Sequence, residues 1–273
     1  MYHIERSNSL RSFKKSVKVH NSAIVHPDAE LGENVEIGPY SIIEEDVEIG
    51  TGTKIGSHVQ VQGPTIIGND NEIFNGVSVG LPPQHQEYKG EKTSLFIGDN
   101  NIIREYVTIH RGTVDGGGET RIGNDNLLMA YSHVAHDCSL GNHIVMANAT
   151  NLSGHVTIEN HAYISGLVGV HQFVRIGQMS MVGPHSKATK DIPPYIEVKG
   201  HPARVKGINV VGLRRHGVSS ELRKEINKAY DILYNSDLNI GQAIEKMDQE
   251  LKTGDEIEHF IRFLKSSSRG ICR

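Results

Sequence analysis

The sequence predicts an all-β solenoid, a parallel β-helix of hexapeptide repeats, followed by a C-terminal α-helical region. A large aliphatic residue recurs at every sixth position from Val25 to Val182, with two interruptions. The residue after that aliphatic is often glycine, and Gly accounts for 29 of the 273 residues. From about residue 190 the six-residue period stops, and apolar residues recur at helical spacing instead.

Residues 1–20 precede the repeats and are interpreted as an N-terminal extension. They carry several Lys and Arg residues, but no apolar stretch follows, so a secretory signal is not expected. The two cysteines, Cys138 and Cys272, form no disulfide framework and suit a reducing compartment. A cytoplasmic protein is therefore expected.

Charge and hydropathy exclude two further classes of protein. Lys and Arg number 28 against 32 Asp and Glu, a net charge of −4, so no basic excess predicts a nucleic-acid partner. No apolar run approaches the roughly 20 residues that a membrane-spanning helix needs. The sequence thus predicts neither a nucleic-acid-binding protein nor a membrane span.

Residues 21–195 are predicted to form the β-helix. The aliphatic series runs from Val25 to Val79, resumes from Ile97 to Ile109, and continues from Ile122 to Val182, with Ala188 as its last member. A period of six fits neither an α-helix nor a simple strand, but it fits a coil of three short faces with the aliphatic side chain inside. Three hexads make one coil, so residues 18 apart should stack at about the 4.8 Å strand spacing.

The two interruptions, 80–96 and 110–121, are predicted to be loops that leave the coil. Insertions in repeat folds often form a binding face. The first contains Gln84 and His85, and the second contains His110, Arg111 and three consecutive glycines. The alternative interpretation is that the two loops have no binding function.

Residues 196–273 are predicted to be a helical region that covers the end of the solenoid, where sheet edges would otherwise be exposed. Ser219 and Ser220 are suitable N-cap residues. Three apolar stripes at helical spacing follow, beginning at Leu222, Ile240 and Ile257. Three amphipathic helices are therefore expected.

The stacking rule places candidate catalytic groups along one edge of the coil. Gly154 lies 18 positions after His136, and Gln172 lies 18 positions after Gly154. Likewise, His155 lies 18 positions after Asp137. The edge is predicted to contain His136, Gly154, His155, His171 and Gln172, on neighbouring coils.

Imidazole is an effective general base near neutral pH, which suits His136. A glycine on the adjacent coil presents its backbone N–H without a side chain in the way, so Gly154 is a candidate oxyanion donor. Asp137 could orient the imidazole if the chain turns at this point, because neighbouring residues in a strand point to opposite sides. The alternative is a set of surface histidines on a purely structural solenoid.

A zinc site, as in a carbonic anhydrase-like protein, is a further alternative. His133 and His136 with His155 or His171 would supply enough nitrogen ligands. No cysteine or second carboxylate stands at a recognisable ligand spacing, so no metal is expected.

Seven segments occur in a characteristic order along the chain. They are Ile109-His110-Arg111-Gly112-Thr113, Asn126-Leu127-Leu128-Met129, His133-Val134-Ala135-His136-Asp137-Cys138, Gly154-His155-Val156, His171-Gln172-Phe173, Asp191-Ile192-Pro193-Pro194-Tyr195 and Asn209-Val210-Val211-Gly212-Leu213-Arg214-Arg215. In these segments the chain resembles the acyl-[acyl-carrier-protein]–UDP-N-acetylglucosamine O-acyltransferases of lipid A biosynthesis. The likeness extends over roughly residues 20–273 and includes the C-terminal helices.

This resemblance implies a left-handed parallel β-helix and a homotrimer with its active sites between neighbouring subunits. It implies that His136 deprotonates the glucosamine 3-hydroxyl, which attacks the thioester of a 3-hydroxyacyl chain on acyl carrier protein. Gly154 would stabilise the oxyanion through its backbone N–H, and Asp137 would support the imidazole. No metal or organic cofactor is implied.

The resemblance also implies substrate contacts and marks departures from the family. The residues that match substrate-contacting positions are Gln84, His85, His133, His155, His171, Gln172, Asn209 and Arg215. Pro184 stands near the position whose bulk limits the acyl chain, and His216 stands where a second arginine is common. The first loop reads Gln84-His85-Gln86-Glu87-Tyr88, where well-known members have Gln-Asp-Leu-Lys-Tyr. The acceptor is therefore UDP-N-acetylglucosamine or, alternatively, a UDP-sugar with an amine at carbon 3.

Overall fold

A computed structural model describes residues 16–252 and 254–273. Residues 1–15 of the predicted N-terminal extension lie outside the described residues. Within the described part, short parallel strands wind into a left-handed β-helix, and four helices follow it. The predicted fold class is confirmed.

Three sheets form the three faces of the prism, and successive strands pass from one sheet to the next. Sheet A contains β1 (Lys18–Val19), β4 (Glu36–Ile37), β7 (Lys54–Ile55), β10 (Glu72–Ile73), β13 (Ile102–Ile103), β16 (Leu127–Leu128), β19 (Val145–Met146), β22 (Tyr163–Ile164), β25 (Met181–Val182), β27 (Ile196–Lys199) and β28 (Arg204–Ile208). Sheet B contains β2 (Ile24–Val25), β5 (Ile42–Ile43), β8 (Gln60–Val61), β11 (Ser78–Leu81), β14 (Thr108–His110), β17 (His133–Val134), β20 (Asn151–Leu152), β23 (Gly169–Val170) and β26 (Lys187–Ala188). Sheet C contains β3 (Glu30–Leu31), β6 (Val47–Ile49), β9 (Thr65–Ile67), β12 (Ser94–Ile97), β15 (Glu119–Ile122), β18 (Ser139–Leu140), β21 (Thr157–Ile158) and β24 (Arg175–Ile176).

The core of the prism is the aliphatic series that the period predicts. Every member from Ile37 to Ala188 is at most 3% exposed. Val25 and Leu31, in the first coil, are only partly buried, because the end of the stack covers them from one side alone. Stacked aliphatic side chains on neighbouring coils therefore hold the solenoid together through apolar burial.

The register of sheet A shows where the coil is interrupted. Lys18 pairs with Glu36, 18 residues on, whereas Glu72 pairs with Ile102 and Ile102 pairs with Leu127. The two wider spacings, 30 and 25 residues, come from the loops between β11 and β12 and between β14 and β15. The loops are 82–93 and 111–118, shorter than the predicted 80–96 and 110–121, because strands extend into both ends of each predicted loop. Both loops leave from the same corner, where the chain passes from sheet B to sheet C.

The region predicted to be helical from residue 196 begins instead with an antiparallel pair, β27 and β28, which extends sheet A to Ile208. The helices that follow are α1 (Val210–Arg215), α2 (Ser220–Tyr234), α3 (Ile240–Glu250) and α4 (Asp255–Lys265). Helices α2, α3 and α4 are the three predicted ones, and Ser219 caps α2. In the described part of the chain, no helix has the length and apolarity to cross a bilayer.

Candidate active site

The predicted ladder of functional groups lies at the corner from which both loops leave. His136 and Asp137 form the turn between β17 and β18, and Gly154 and His155 form the corresponding turn one coil later. The His155 N–H donates to the His136 carbonyl oxygen at 3.0 Å, so the two turns stack directly. We refer to this edge as the B–C corner.

His136 and Asp137 interact because they lie in a turn rather than in a strand. Asp137 adopts a left-handed conformation, with φ of 61°, which brings its side chain to the same side as that of His136. His136 Nδ1 lies 2.7 Å from Asp137 Oδ2. The Asp137 side chain is 0% exposed and that of His136 is 11% exposed. The imidazole is therefore held against a buried carboxylate.

The second loop supplies further partners for that carboxylate. The Thr113 backbone N–H donates to Asp137 Oδ1 at 2.7 Å, and its hydroxyl donates to Oδ2 at 2.6 Å. Burial on its own would raise the pKa of Asp137, but the hydrogen bonds from His136 and Thr113 outweigh it, and the pKa is lowered. Asp137 therefore stays ionised and can only accept hydrogen bonds.

Gly154 lies directly beneath the His136 ring. A Cβ at this position would lie 2.5 Å from His136 Cε1 and 2.8 Å from Nε2, so no other residue fits without moving the imidazole. Within the described residues, no backbone acceptor is paired with the Gly154 N–H. The His136 imidazole and a backbone N–H without a backbone acceptor thus occupy neighbouring positions, as the stacking rule predicts.

Two more rings contact His136, and a third ring packs on one of them. His155 and His85 both contact His136 edge to face, with centroid separations of 5.3 and 5.1 Å, and Phe173 stacks on His155 at 4.3 Å. His155 Nε2 lies 3.6 Å from Asp137 Oδ2. Burial nevertheless lowers the pKa of His155, against the attraction of Asp137. His155 is therefore neutral at pH 7.

His133 lies on the sheet B side of His136 and is held in a different way. Its Nδ1 lies 2.7 Å from the Thr108 hydroxyl oxygen, and His110 contacts the ring at 5.1 Å. Burial lowers the pKa of His133 and lowers that of His110 to about 4. Both rings are neutral groups that can donate or accept a hydrogen bond.

Arg111 holds the first loop, 82–93, against the prism. Its guanidinium donates to the carbonyl oxygens of Gly63 and Gly80 at 3.0 Å and to the Tyr88 hydroxyl at 2.9 Å. This anchored loop carries Gln84 and His85, which are exposed next to the B–C corner. The loop therefore forms one wall of the site.

His171 and Gln172 are exposed at the same corner, one coil beyond His155. His171 also borders a groove of about 520 Å³ on the outer face of sheet B, together with Ser153, His185 and Lys187. Pro184 is exposed in the turn just before His185. The groove leads away from the B–C corner.

Asn209 and Arg215 lie elsewhere, so the chain does not bring all predicted site residues together. The Asn209 side chain accepts from the Gly212 N–H and donates to the Met179 carbonyl oxygen, both at 2.9 Å, and thereby caps α1. Arg215 is exposed in the last turn of α1. The next residue, His216, contacts His161 at the corner between sheets C and A.

One set of side chains is compact enough to hold a metal. Among the described residues, the ligand atoms of His136, Asp137 and His155 all lie within 4.8 Å of one another. Asp137 already accepts three hydrogen bonds from Thr113 and His136, so a metal would compete with them. His133, which the zinc alternative requires, instead contacts Thr108.

Sequence reasoning missed Thr113, Thr120, Gly116 and Phe173 at this corner. Phe173 lies 18 residues after His155, so one more step of the stacking rule would have found it. The others stand near or inside the second insertion, where the 18-residue count no longer applies.

Comparisons with known proteins match this architecture. The model for Udp N-acetylglucosamine O-acyltransferase, domain 2, matches residues 191–272, and that for the bacterial transferase hexapeptide (six repeats) matches residues 28–63. Acyl-[acyl-carrier-protein]–UDP-N-acetylglucosamine O-acyltransferase of Halorhodospira halophila is 50% identical over 256 residues, which are 94% of this chain and 99% of the relative. The corresponding protein of Trichlorobacter lovleyi is 52% identical over 260 residues, 94% of this chain and 100% of the relative.

Solved structures are also similar to this chain. The UDP-N-acetylglucosamine acyltransferase of Bacteroides fragilis superposes with a TM-score of 0.91 at 44% identity, covering 93% of this chain and 99% of that chain. The Francisella novicida enzyme gives a TM-score of 0.90 at 39% identity, covering 93% and 94%. By sequence and structure, this chain belongs to the family of UDP-N-acetylglucosamine O-acyltransferases.

Proposed function

We propose that this enzyme transfers a 3-hydroxyacyl chain from acyl carrier protein to the 3-hydroxyl of UDP-N-acetylglucosamine, the first step of lipid A biosynthesis. Relatives at about 50% identity are acyl-[acyl-carrier-protein]–UDP-N-acetylglucosamine O-acyltransferases. The observation that carries the proposal is the His136 imidazole, held by buried Asp137 directly above Gly154.

The chemistry follows from these three groups. His136 Nδ1 is engaged with Asp137, so Nε2 is the atom available to take the proton of the acceptor hydroxyl. The hydroxyl oxygen then attacks the thioester carbonyl carbon, and the Gly154 N–H donates to the oxyanion that forms. Collapse of this intermediate breaks the carbon–sulfur bond, and the imidazolium returns its proton to the leaving thiolate. The products are an ester and the free thiol of the carrier protein.

A homotrimer accounts for the residues that lie far from His136 in one chain. Asn209 and Arg215 lie near the corner between sheets C and A, whereas His136 lies at the B–C corner. In a trimer of parallel prisms, one chain can present its B–C corner to another corner of its neighbour. We infer that Arg215 and the α1 region of one subunit complete the substrate site of the next.

The enzyme is proposed to work in the cytoplasm. Cys138 and Cys272 are both buried and both free. Burial raises the pKa of Cys138 to about 12 and that of Cys272 to about 11, so neither thiol is a ready nucleophile. Two unpaired thiols agree with a reducing compartment.

In the decisive experiment, the purified protein is incubated with UDP-N-acetylglucosamine and a panel of 3-hydroxyacyl carrier proteins, and the products are identified by mass spectrometry. His136→Ala should lose about two to four orders of magnitude in rate, which is the usual contribution of general-base catalysis. His58→Ala is the matched control, because His58 is an exposed histidine of another corner whose ring, among the described residues, stacks only on Tyr40. A His136→Ala enzyme within threefold of the wild type would refute the mechanism.

The same assay decides the acceptor. The first loop carries His85 and Glu87, and His85 contacts His136 directly. A UDP-sugar with an amine at carbon 3 is therefore assayed beside UDP-N-acetylglucosamine. An ester as the preferred product supports the proposal, whereas a preferred amide would make this an acyltransferase for the amino sugar.

A further inference from the structure

We propose that Thr113 is a positioning residue that sets the tautomer of His136. The proposal rests on the proposed function, because it concerns how the general base is prepared. Thr113 lies in the second loop, 24 positions before Asp137, and is only 8% exposed. It gives both of its donors to Asp137, the backbone N–H to Oδ1 and the hydroxyl to Oδ2.

The direction of the hydroxyl proton follows from its neighbours. The Gly116 N–H lies 3.2 Å from Thr113 Oγ1 and 3.1 Å from the Thr113 carbonyl oxygen, so it donates to both. The hydroxyl oxygen therefore already accepts a hydrogen bond, and its proton points to Asp137 Oδ2 at 2.6 Å. Asp137 is ionised and has no proton to return.

The same logic extends to the imidazole. Asp137 Oδ2 can only accept, so the proton between it and His136 Nδ1 must belong to the histidine. When Nδ1 carries the proton of a neutral imidazole, Nε2 is bare and can act as the base. One chain of hydrogen bonds thus connects Gly116, Thr113, Asp137 and His136, and every proton in it points toward the Asp137 carboxylate.

Two further contacts make the placement of Asp137 rigid. The Asp137 N–H donates to the buried Thr120 hydroxyl oxygen at 2.8 Å. A side chain at Gly116 would overlap the Asp137 carboxylate, so glycine lets the loop lie directly against it. The insertion therefore closes over the carboxylate and fixes its rotation.

Thr113→Val tests the hydroxyl while keeping the shape of the side chain, and Thr113→Ser restores the hydroxyl without the methyl group. Val114→Thr is the control in the same loop, since Val114 is 60% exposed. Thr113→Val should lower kcat about 10- to 100-fold with little change in KM for either substrate, because orientation and not binding is lost. Thr113→Ser should recover most of the activity, and Val114→Thr should remain near the wild type.

The second readout does not depend on activity. Protein with ¹⁵N-labelled histidine distinguishes the Nδ1–H from the Nε2–H tautomer by NMR, and the His136 signals are assigned by their loss in His136→Gln. In the wild type His136 should be the Nδ1–H tautomer. In Thr113→Val the Asp137 carboxylate loses a hydrogen bond that fixes its rotation and can turn away from Nδ1, so the Nε2–H form should increase. A wild-type Nε2–H tautomer, or Thr113→Ser as impaired as Thr113→Val, would overturn the proposal.

The two proposals fail separately. If His136→Ala retains its activity, His136 is not the general base, but the tautomer experiment still tests the role of Thr113. An active Thr113→Val enzyme with an unchanged tautomer, beside an inactive His136→Ala, would refute the role of Thr113 alone. If Thr113→Val loses its fold in circular dichroism, Gly116→Ala takes its place, because it displaces the loop from Asp137 and should shift the tautomer in the same way.

Discussion

Replacement of Gly154 by alanine tests the stacked arrangement of the site by a single methyl group. The added Cβ would lie 2.5 Å from His136 Cε1 and 2.8 Å from Nε2. Ordinary contact begins at 3.4 Å, so the imidazole has to move by about 0.9 Å. Its Nδ1 is held by Asp137 at 2.7 Å, so the ring swings about that hydrogen bond and displaces Nε2.

A displacement of about 1 Å at a reacting group costs on the order of 100-fold in rate, or about 2.7 kcal/mol of transition-state stabilisation. The loss should appear in kcat, because the proposed substrate-binding residues other than His136 and Asp137 are unchanged. Gly154 keeps its backbone N–H in this variant, so the loss would report the position of the base and not the oxyanion donor.

The fold should tolerate the substitution. Gly154 is not among the glycines with positive φ, so alanine adopts the same backbone without strain. Gly254→Ala is the control for the exchange itself, because a Cβ there meets nothing within 4 Å. Thermal unfolding of both variants should stay close to that of the wild type.

The assay measures kcat and KM with 3-hydroxyacyl carrier protein and UDP-N-acetylglucosamine. If Gly154→Ala keeps kcat within threefold of the wild type, the imidazole does not need the position that the structure gives it. If Gly254→Ala loses as much as Gly154→Ala, the effect is not local to the site. Either result would refute the reasoning.

Three further predictions follow from the same contacts. Arg111→Met removes the hydrogen bonds that anchor loop 82–93. KM for the UDP-sugar should therefore rise about 10-fold, and limited proteolysis should cut the loop faster. An unchanged KM would contradict the anchoring role. Burial lowers the pKa of His110 to about 4, so the folded state resists its protonation and stability should fall between about pH 6.5 and pH 4. His110→Gln should reduce that loss in the free energy of unfolding by about 3 kcal/mol, measured by urea unfolding. The same pH dependence of stability in His110→Gln and in the wild type would be inconsistent with a lowered pKa of His110. Chelation with EDTA should leave acyl transfer intact, whereas activity lost with EDTA and restored by Zn²⁺ would favour a metal at His136, Asp137 and His155.

The repeat made the core and part of the site predictable. A strict period of six fixes which side chain points inward, so the buried series follows directly from the sequence. A strict 18-residue coil also places His136 above Gly154 without any knowledge of the loops. Both predictions depend on spacing alone.

The rest of the site depends on chain that leaves the period. Thr113 reaches Asp137 because the second loop folds back, and no spacing rule describes that path. Helix α1 has only six residues, too few to give a periodic apolar stripe. The function of Asn209 as the cap of α1 likewise appears only once the helix is seen.

The abundance of histidine needs a structural explanation before a catalytic one. His58, His143, His155, His161 and His185 all have φ near 60° and lie in the turns at the prism corners. Histidine is among the few residues other than glycine that are enriched in this left-handed region. These five of the 16 histidines are therefore compatible with the geometry of the corners alone.

In the described part of the chain, two corners carry stacked histidines, and they differ in the carboxylate beside them. At the corner between sheets C and A, His143 stacks on His161 at 4.7 Å, and its Nε2 lies 3.9 Å from Asp125. The Asp125 side chain is 43% exposed, so this ion pair is weak and free to rearrange in water. The Asp137 side chain is 0% exposed, because an insertion covers it and supplies its hydrogen bonds. We therefore expect catalysis at the B–C corner, where the loops bury the carboxylate, and not at the corner between sheets C and A.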